Sequence, residues 1–254
     1  MINQKVSIIT PLYNSEKYIA EAIQSVLIQS YTDFEMIIID DHSDDRSVNI
    51  VKEFNDERIQ LICLSQNKGA GIARNKGIEK ANGRFIAFLD SDDQWLPNKL
   101  EKQINFMRSR NISFCFSSFY LMNENGKHLK KYREALPRVD YTKMLNNNYI
   151  GCLTAIYDTE TLGKIYMTDH KKRQDWGLWL KILSKTNLAE SIEEPLALYR
   201  LGNKSLSHYK LNLIRPNYLF YRDQLGLSKS DSMIRMLRFL FYYFQYRLKY
   251  TKAM

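Results

Sequence analysis

The sequence Arg84-Phe85-Ile86-Ala87-Phe88-Leu89-Asp90-Ser91-Asp92-Asp93 decides how the rest of this 254-residue chain can fold. Its apolar residues 85–89 have the length and composition of a strand that is buried on both faces of a sheet. Three aspartates follow, and the carboxyl ends of strands in an open α/β sheet form the edge where ligands bind. Carboxylates there suit Mg²⁺ or Mn²⁺, which prefer oxygen ligands and often share them with substrate phosphates. Alternatively, the acids only form a turn and cap a helix that begins near Trp95 or Pro97.

Strand and helix patterns alternate along the chain. We predict strands at residues 6–10 (ended by Pro11), 36–39, 59–63, 84–90, 112–122 and 153–157. We predict helices at residues 15–27 (capped by Asn14 or Ser15), 48–54, 70–81, 98–110, 176–184, 211–223 and 230–249. The Asn125-Gly126 turn should join the strand at 112–122 to a partner strand. This alternation predicts an α/β fold with a mostly parallel, Rossmann-like central sheet, helices on both faces and C-terminal helices.

The positive charge of the chain is concentrated at its C-terminal end. Lys and Arg number 37 against 28 Asp and Glu, which gives a formal net charge of +9. Residues 196–254 hold 11 of these basic residues and two acidic ones, Asp223 and Asp231. A basic segment after a neutral remainder argues against a nucleic-acid partner and indicates that the C-terminal segment meets an anionic membrane surface. The alternative is a helix that packs on the domain or on a second subunit, so a homodimer stays open.

The cysteines and the hydropathy of the sequence indicate in which cellular compartment the protein works. Cys63, Cys115 and Cys152 are far apart, odd in number and in apolar contexts, which indicates buried free thiols rather than disulfides or a zinc site. No secretory signal opens the sequence, and its longest apolar stretch is shorter than the roughly 18 residues that a spanning helix needs. We therefore expect a cytoplasmic protein that is peripheral at the inner face of the cell membrane.

Three predicted strand ends should meet at one edge of the sheet: Pro11-Leu12-Tyr13-Asn14, Asp40-Asp41-His42-Ser43 and Asp90-Ser91-Asp92. They would supply an aromatic ring, a carboxylate for a base or ribose, and a metal site for phosphates. The segment with Asn67, Gly69 and Arg74 adds a glycine that permits close approach and an arginine for phosphate. Its glycine spacing fits neither a dinucleotide-binding fingerprint nor a P-loop.

In order and spacing, these segments resemble the family 2 glycosyltransferases of the GT-A fold. The resemblance covers residues 5–205 and rests on residues 7–14, Asp40-Asp41 with Ser43, residues 67–75 and residues 88–93. The later Arg173-Gln174-Asp175-Trp176 looks like the acidic motif that carries the catalytic base in that family. The resemblance implies a glycosyltransferase domain at 1–205, with a nucleotide-sugar half at about 1–95 and an acceptor half at about 96–205. A basic amphipathic segment at 206–254 would follow.

The resemblance also implies residue roles. Pro11, Tyr13 and Asp40 would hold the nucleoside, Asp90 would contact the ribose or the sugar, and Asp92 would ligate Mn²⁺ or Mg²⁺. We count Asn14, Asn67, Gly69, Arg74 and Ser91 as further donor-binding residues. Asp175 would be the general base, although it could also cap the helix that follows it. Trp176 could stack on an acceptor sugar or be a core aromatic residue. His170 could reach the acceptor and His208 the metal, although each could be a surface residue.

The expected function is an inverting hexosyl- or N-acetylhexosaminyltransferase. It would move a sugar from a nucleotide-diphosphate sugar, in first place a UDP-sugar, to a hydroxyl of a saccharide acceptor. A lipid-linked acceptor in O-antigen, capsule or other surface polysaccharide synthesis is expected. The alternatives are a nucleotidyltransferase and a non-catalytic protein that binds nucleotide sugars or nucleic acid. The non-catalytic alternative leaves the acids at three strand ends without a role.

Overall fold

A single mixed sheet organises the structure, a computed structural model that describes residues 4–168, 172–202 and 214–253. The strands are β1 Val6–Leu12, β2 Phe34–Asp40, β3 Ile59–Cys63, β4 Phe85–Phe88, β5 Gln94–Trp95, β6 Phe114–Asn123, β7 His128–Arg133, β8 Arg138–Asp140, β9 Ile156–Asp158, β10 Leu188–Leu201 and β11 Thr251–Ala253. The α-helices are α1 Ile19–Leu27, α2 Ser47–Glu53, α3 Ala70–Lys80, α4 Lys99–Arg110, α5 Tyr141–Met144, α6 Thr159–Leu162, α7 Gln174–Thr186, α8 Ile214–Leu219 and α9 Lys229–Tyr250. A 3₁₀ turn spans Cys152–Thr154, and a π-helical turn spans Phe220–Gln224.

The strand order is β11-β7-β6-β9-β4-β1-β2-β3. The strands β3, β2, β1 and β4 are parallel, with Ile8 opposite Met36 and Ala87, as their buried apolar runs predict. β9 joins β4 to β6 by antiparallel pairing on both sides. The second half of the sheet is mixed, because β10 runs parallel to β6 and antiparallel to β5 and β8. The carboxyl ends of the first four strands therefore lie along one edge.

Helices cover both faces of the sheet, as predicted. Successive residues of a strand point to opposite faces, and the neighbours Ile8 and Ile9 accordingly belong to two different cores. Ile8 lies in the core that α1, α2 and α4 share, whereas Ile9 lies with α3, α7 and α9. Both residues are 0% exposed. The parallel strands are thus buried on both sides, and their free ends are the part of the sheet that can meet a ligand.

The N-terminal elements differ from the prediction in two details. β1 continues through Pro11, which pairs with Ile39. The pairing of β1 with β4 stops at Ile9, so the missing N–H of Pro11 costs no bond on that side. The predicted cap of α1 is wrong, because the helix begins after Tyr18, which makes no side-chain cap bond within the described chain.

The acceptor half holds the larger differences. β10, 14 residues long, is absent from the prediction, because Pro195 and several glutamates interrupt its apolar pattern. Register shifts on both sides of Pro195 accommodate the proline. The strand predicted at 153–157 is a 3₁₀ turn followed by β9. The expectation of buried cysteines is wrong for Cys63, which is exposed.

The C-terminal segment is built into the same core. Met236, Phe239 and Tyr246 of α9 are 8% exposed or less and pack in one core with α7. β11 then pairs antiparallel with β7 at the sheet edge. Within the described residues, no helix combines the length and the apolar composition that crossing a bilayer requires.

Candidate active site

The loop after β2 shapes the donor edge of the sheet. Asp41 is 2% exposed, and its carboxylate accepts the backbone N–H groups of Lys68 and Gly69, each at 2.7 Å. Gly69 has φ of +90°, a conformation that side chains rarely adopt, and it is the residue before α3. Asp41 therefore ties the loop that contains Asn67 to the strand ends.

The residues predicted to hold the nucleoside differ in their exposure. Tyr13 is 50% exposed at the end of β1, so its ring is open to a ligand. Pro11 is buried, and Asp40 is 3% exposed with its carboxylate facing the backbone N–H of Ser43 at 3.2 Å. Asn14 adopts φ of 47°, and its side chain accepts the N–H of Asp44 at 3.0 Å. Asn14 thus holds the two loops together.

The three aspartates after β4 lie in three different environments. Asp90 forms an ion pair with Arg74. The guanidinium group that the sequence predicts to bind phosphate is therefore already paired with a carboxylate. Asp93 is 1% exposed and accepts the backbone N–H of Arg200 at 2.8 Å. Asp92 is partly buried, and burial together with the charge of Asp90 raises its pKa to about 6. Within the described chain, Asp90 is the one of the three that pairs with a side-chain cation; Asp93 is buried against a backbone N–H, and the carboxylate of Asp92 is partly exposed.

Arg200, which the sequence did not single out, holds this acidic loop in place. Its Nε donates to the carbonyl of Asp92 at 2.7 Å, and its Nη2 donates to Glu21 at 2.6 Å. Its Nη1 reaches the carbonyl of Glu124 in the turn between β6 and β7 at 2.9 Å. Arg200 is 3% exposed and lies next to the last residue of the unpredicted β10, so no local pattern indicated this role.

The predicted base lies in the first turn of α7. Asp175 is partly exposed, and the side-chain amide of Asn148 donates to its Oδ2 at 2.8 Å. Asp175 is not the helix cap, because that position belongs to Arg173 with φ of 63°. Asn148, which no sequence pattern singled out, lies in the run Asn146-Asn147-Asn148 after α5. It leaves the other oxygen of Asp175 available.

The two halves meet at the N-terminal ends of α3 and α7. A Cβ atom on Gly71 would lie 2.3 Å from Nε2 of Gln174, so the glycine permits this close approach. Arg74, one turn further along α3, lies between the acids of the two halves. Burial would lower its pKa, but the charges of Asp90 and Asp175 raise it. Asp175 therefore lies near the donor loop.

A cavity of about 630 Å³ opens at this junction. Asp90 and Asp93 line it from the loop after β4, and Asp175 lines it from the first turn of α7. Its remaining wall comes from residues 147–153 and from β6, β7, β10, α9 and β11. The buried Nδ2 of Asn147, also in the wall, has no partner within the described chain. This cavity is large enough for a small ligand of the sugar class.

Trp176, the predicted acceptor contact, does not reach the cavity. The prediction that Trp176 stacks on an acceptor is wrong, because its ring is 0% exposed and stacks on Phe220 at 4.3 Å. Its indole N–H donates to the carbonyl of Met144 at 2.7 Å. His170 and His208 lie outside the described residues. Asn67 is exposed and Ser91 partly exposed at the donor edge.

The acids fit a divalent cation only if a substrate supplies further ligands. Within the described ranges, no group of three or more His, Cys, Asp or Glu side chains is placed to hold a metal. Asp90 is engaged by Arg74 and Asp93 by the Arg200 backbone, which leaves Asp92. A single carboxylate that shares Mg²⁺ or Mn²⁺ with phosphate oxygens is a common arrangement.

Comparison with known proteins gives consistent matches over most of the chain. The sequence model described as Glycosyl transferase family 2 matches residues 7–165. The putative teichuronic acid biosynthesis glycosyltransferase TuaG of Bacillus subtilis (strain 168) is 44% identical over 220 residues, 86% of this chain and 87% of that protein. The Escherichia coli UDP-Glc:alpha-D-GlcNAc-diphosphoundecaprenol beta-1,3-glucosyltransferase WfgD is 39% identical over 241 residues, 93% of this chain and 91% of that protein. A crystal structure of S. aureus TarS in complex with UDP superposes with a TM-score of 0.70 and 25% identity, covering 93% of this chain and 71% of that chain.

The contact between Gly71 and Gln174 can be tested by stability. Gly71→Ala should lose about 1 kcal/mol of free energy of unfolding when the new methyl group displaces the flexible end of the Gln174 side chain, and this loss should cancel the gain in helix propensity. Gln174→Ala in the same chain should recover most of that loss, which urea unfolding of the single and double variants would measure. Helix propensity alone predicts a gain of about 1 kcal/mol for Gly71→Ala. A gain of that size would contradict the contact.

Proposed function

Because this chain belongs to glycosyl transferase family 2, we propose that it transfers a sugar from a UDP-sugar to a hydroxyl of a lipid-linked saccharide, with inversion at the anomeric carbon. The GT-A fold and the glycosyltransferase activity follow from the family and from the structural likeness. The observation that carries the proposal is the cavity that Asp90 and Asp175 line from opposite halves of the chain. The donor and the acceptor would meet there.

The choice of donor and acceptor is supported by the relatives. TarS binds UDP in its crystal structure, which favours a uridine nucleotide. The name of WfgD specifies a sugar that is linked to undecaprenol through a diphosphate, and the name of TuaG specifies teichuronic acid biosynthesis. We infer a hexosyl- or N-acetylhexosaminyltransferase that acts in the synthesis of a cell-surface polysaccharide at the inner face of the membrane.

The donor would lie on the edge formed by residues 1–95. The ring of Tyr13 is exposed and would stack on the base, and Asp40 lies at the end of the next strand. Gly69 and the Asn67 loop, which Asp41 holds, would lie along the nucleotide. Asp90 is fixed by Arg74 and would accept a hydroxyl of the ribose or the sugar. Ser91 is a further candidate contact.

Asp92 would hold Mn²⁺ or Mg²⁺ together with the donor phosphates. When bound, such a cation stabilises the negative charge that develops on the leaving nucleoside diphosphate. The carbonyl of Asp92 is fixed by Arg200, so the loop that presents the carboxylate is rigid. The protein contributes here by holding the reacting groups in position and by stabilising charge, and both lower the barrier to displacement at an anomeric carbon.

Asp175 would act as the general base. Its carboxylate removes the proton from the acceptor hydroxyl while the hydroxyl oxygen forms a bond to the anomeric carbon. The bond from that carbon to the diphosphate breaks in the same step, and its electron pair leaves with the nucleotide. Asn148 fixes one carboxylate oxygen by donating to it, which orients the other toward the cavity. A single displacement of this kind inverts the anomeric centre.

We propose that α9 binds the surface of an anionic membrane. Its exposed apolar residues fall within an arc of about 100° at the usual 3.6 residues per turn; they are Met233, Ile234, Leu237, Phe241, Phe244 and Leu248, at 41–84% exposure. Phe239 packs in the core instead, so the helix divides into a packed face and an exposed face, as the aromatic spacing requires. The exposed residues Arg238 and Lys249 flank the stripe and suit anionic headgroups.

Asp175→Asn should lower transfer by about 10²- to 10⁴-fold, the usual worth of a general base, while UDP-sugar binding stays intact. Asp33→Asn is the matched control, because this exposed aspartate lies at the other end of β2. Turnover by coupled assay and donor binding by calorimetry would separate the two effects. Equal losses of donor affinity and of rate would assign Asp175 to donor binding, and a product with retained configuration by NMR would overturn the single displacement.

Asp92→Asn should remove most metal-dependent activity, because a neutral amide is a poor ligand for a hard cation. The raised pKa, about 6, adds a pH dependence. Below pH 6 the carboxyl group is protonated, so protons compete with the cation and its affinity should fall by up to about tenfold for each pH unit. Mn²⁺ binding in the presence of UDP, followed by EPR from pH 8 to pH 5, would measure this. An affinity for Mn²⁺ that does not change with pH would contradict the assignment. So would an Asp92→Asn variant that binds Mn²⁺ as tightly as the Asp33→Asn variant does.

Replacing Leu237, Phe241 and Leu248 by Gln should weaken co-sedimentation with anionic vesicles and leave the free energy of unfolding unchanged, because these side chains are exposed. Ile28→Gln is the control, because Ile28 is 51% exposed at the C-cap of α1, away from α9. High salt should weaken wild-type binding, because it screens Arg238 and Lys249. If wild-type protein does not bind anionic vesicles at low salt and sediments as a dimer, the stripe is a contact between subunits instead.

A further inference from the structure

The end of the cavity that faces α9 is positively charged. Lys131 and Arg133 of β7 and Arg247 of α9 line the same cavity as Asp175. The Arg133 guanidinium lies 5.4 Å from the ring centre of Tyr246, and the Arg247 guanidinium lies 5.5 Å from that of Tyr243. Arg247 also donates to the hydroxyl of Tyr243 at 2.7 Å. Both arginines are therefore held in position by the aromatic face of α9.

No acid neutralises this cluster. Within the described ranges, no carboxylate forms an ion pair with Lys131, Arg133 or Arg247. Glu134, the neighbour of Arg133, is instead paired with Lys252 at 2.8 Å. Burial lowers the pKa of Arg133, and the nearby charge of Arg247 lowers it further, with Tyr246 and Tyr243 as the other groups that face it. Two close guanidinium groups, one of them half-buried, are unfavourable without an anion.

The cluster shares its cavity with Asp175 and not with Asp92. Asp175, Arg133 and Arg247 line the cavity, whereas Asp92 is not among its lining residues. In the sheet order β7 is three positions away from β4, and only the turn before β7 is tied to the Asp92 loop, through Arg200. An anion bound by the cluster would therefore belong to a second molecule in the cavity, on the side of Asp175.

We propose that Arg133 and Arg247, with Lys131 at the rim, bind the phosphate groups of the acceptor whose hydroxyl faces Asp175. This inference rests on the proposed transfer to a lipid-linked acceptor. A sugar that is linked through a diphosphate carries its phosphates on the anomeric carbon and its attacking hydroxyl on another carbon of the ring. The cavity offers a base for one end of such a molecule and paired guanidinium forks for the other.

The position of Arg247 also fits an acceptor that stays in a membrane. Arg247 follows Phe244 by three residues on α9 and precedes Leu248, so it lies at the edge of the exposed apolar stripe. A phosphate bound there would lie at the level of the headgroups, with its lipid chain beside the stripe. The same phosphate chemistry could come from a bilayer headgroup, so the test has to separate the two sources.

The test compares two soluble probes that share one sugar. Octyl α-D-GlcNAc diphosphate carries the phosphates, and octyl α-D-GlcNAc lacks them. Calorimetry without metal and without vesicles should show that wild-type protein binds the first probe more tightly than the second. Arg133→Gln and Arg247→Gln should each weaken binding of the diphosphate probe by about 10- to 100-fold, because each removes a hydrogen bond to a charged group. Binding of the phosphate-free probe should not change.

Controls keep the result decisive. Arg108→Gln removes an exposed arginine of α4 outside the cavity and should leave both affinities unchanged. Arg133→Lys keeps the charge but loses the planar fork, so it should bind with intermediate affinity. Arg247 is exposed, so Arg247→Gln should fold as the wild-type protein does, which thermal unfolding would verify.

The outcomes separate this inference from the proposed function. Wild-type protein that binds UDP with Mn²⁺ but shows no preference for the diphosphate probe would overturn the phosphate site alone. Wild-type protein that does not bind UDP with Mn²⁺ would overturn the proposed function. Variants that keep the preference for the diphosphate probe but lose vesicle co-sedimentation would assign the two arginines to bilayer headgroups and overturn the acceptor site.

Discussion

The buried pairing of Asp93 with Arg200 is the interaction on which the catalytic edge depends. Asp93 accepts the Arg200 backbone N–H, and the Arg200 side chain binds the carbonyl of Asp92, the carboxylate of Glu21 and the carbonyl of Glu124. A guanidinium group has five N–H donors in a fixed plane, so one residue can hold several partners in set directions. The contacts join the donor half to the acceptor half. The acidic loop is consequently part of a rigid framework.

A close contact between two helices positions the candidate base, Asp175. Gly71 lets the side chain of Gln174 lie directly on α3, and Asp175 follows Gln174 in the chain. Asn148 then orients the carboxylate from the opposite side. Small side chains at helix contacts allow close approach, and a close approach fixes position more firmly than a long flexible contact does. The base and the donor acids therefore face one cavity, although they belong to different halves of the chain.

The helix α9 has three faces with different surroundings: the core, the solvent and the cavity. Phe239 and Tyr246 pack in the core, Leu237 and Phe241 are exposed, and Arg247 lies between these two faces at the mouth of the cavity. A helix presents a new direction every 100°, so its surface can divide in this way. The excess of basic residues in this segment therefore lies in two places, beside the exposed apolar stripe and in the wall of the cavity. Arg247 lines the cavity, whereas Arg238 and Lys249 flank the exposed stripe.

The sequence by itself determined the α/β class, the parallel direction of the first strands, the edge that carries Tyr13, Asp40 and Asp92, and the helix that begins beside Asp175. These features follow from local patterns, because apolar runs and the residues after them decide which strand ends meet. Tertiary structure alone decided that Trp176 is a core residue, because its burial depends on Phe220, which lies far along the chain. It also decided the contacts of Arg200, which meets Asp93 across 107 residues. No local period encodes such a contact, since it forms only when two separately folded edges are packed against each other.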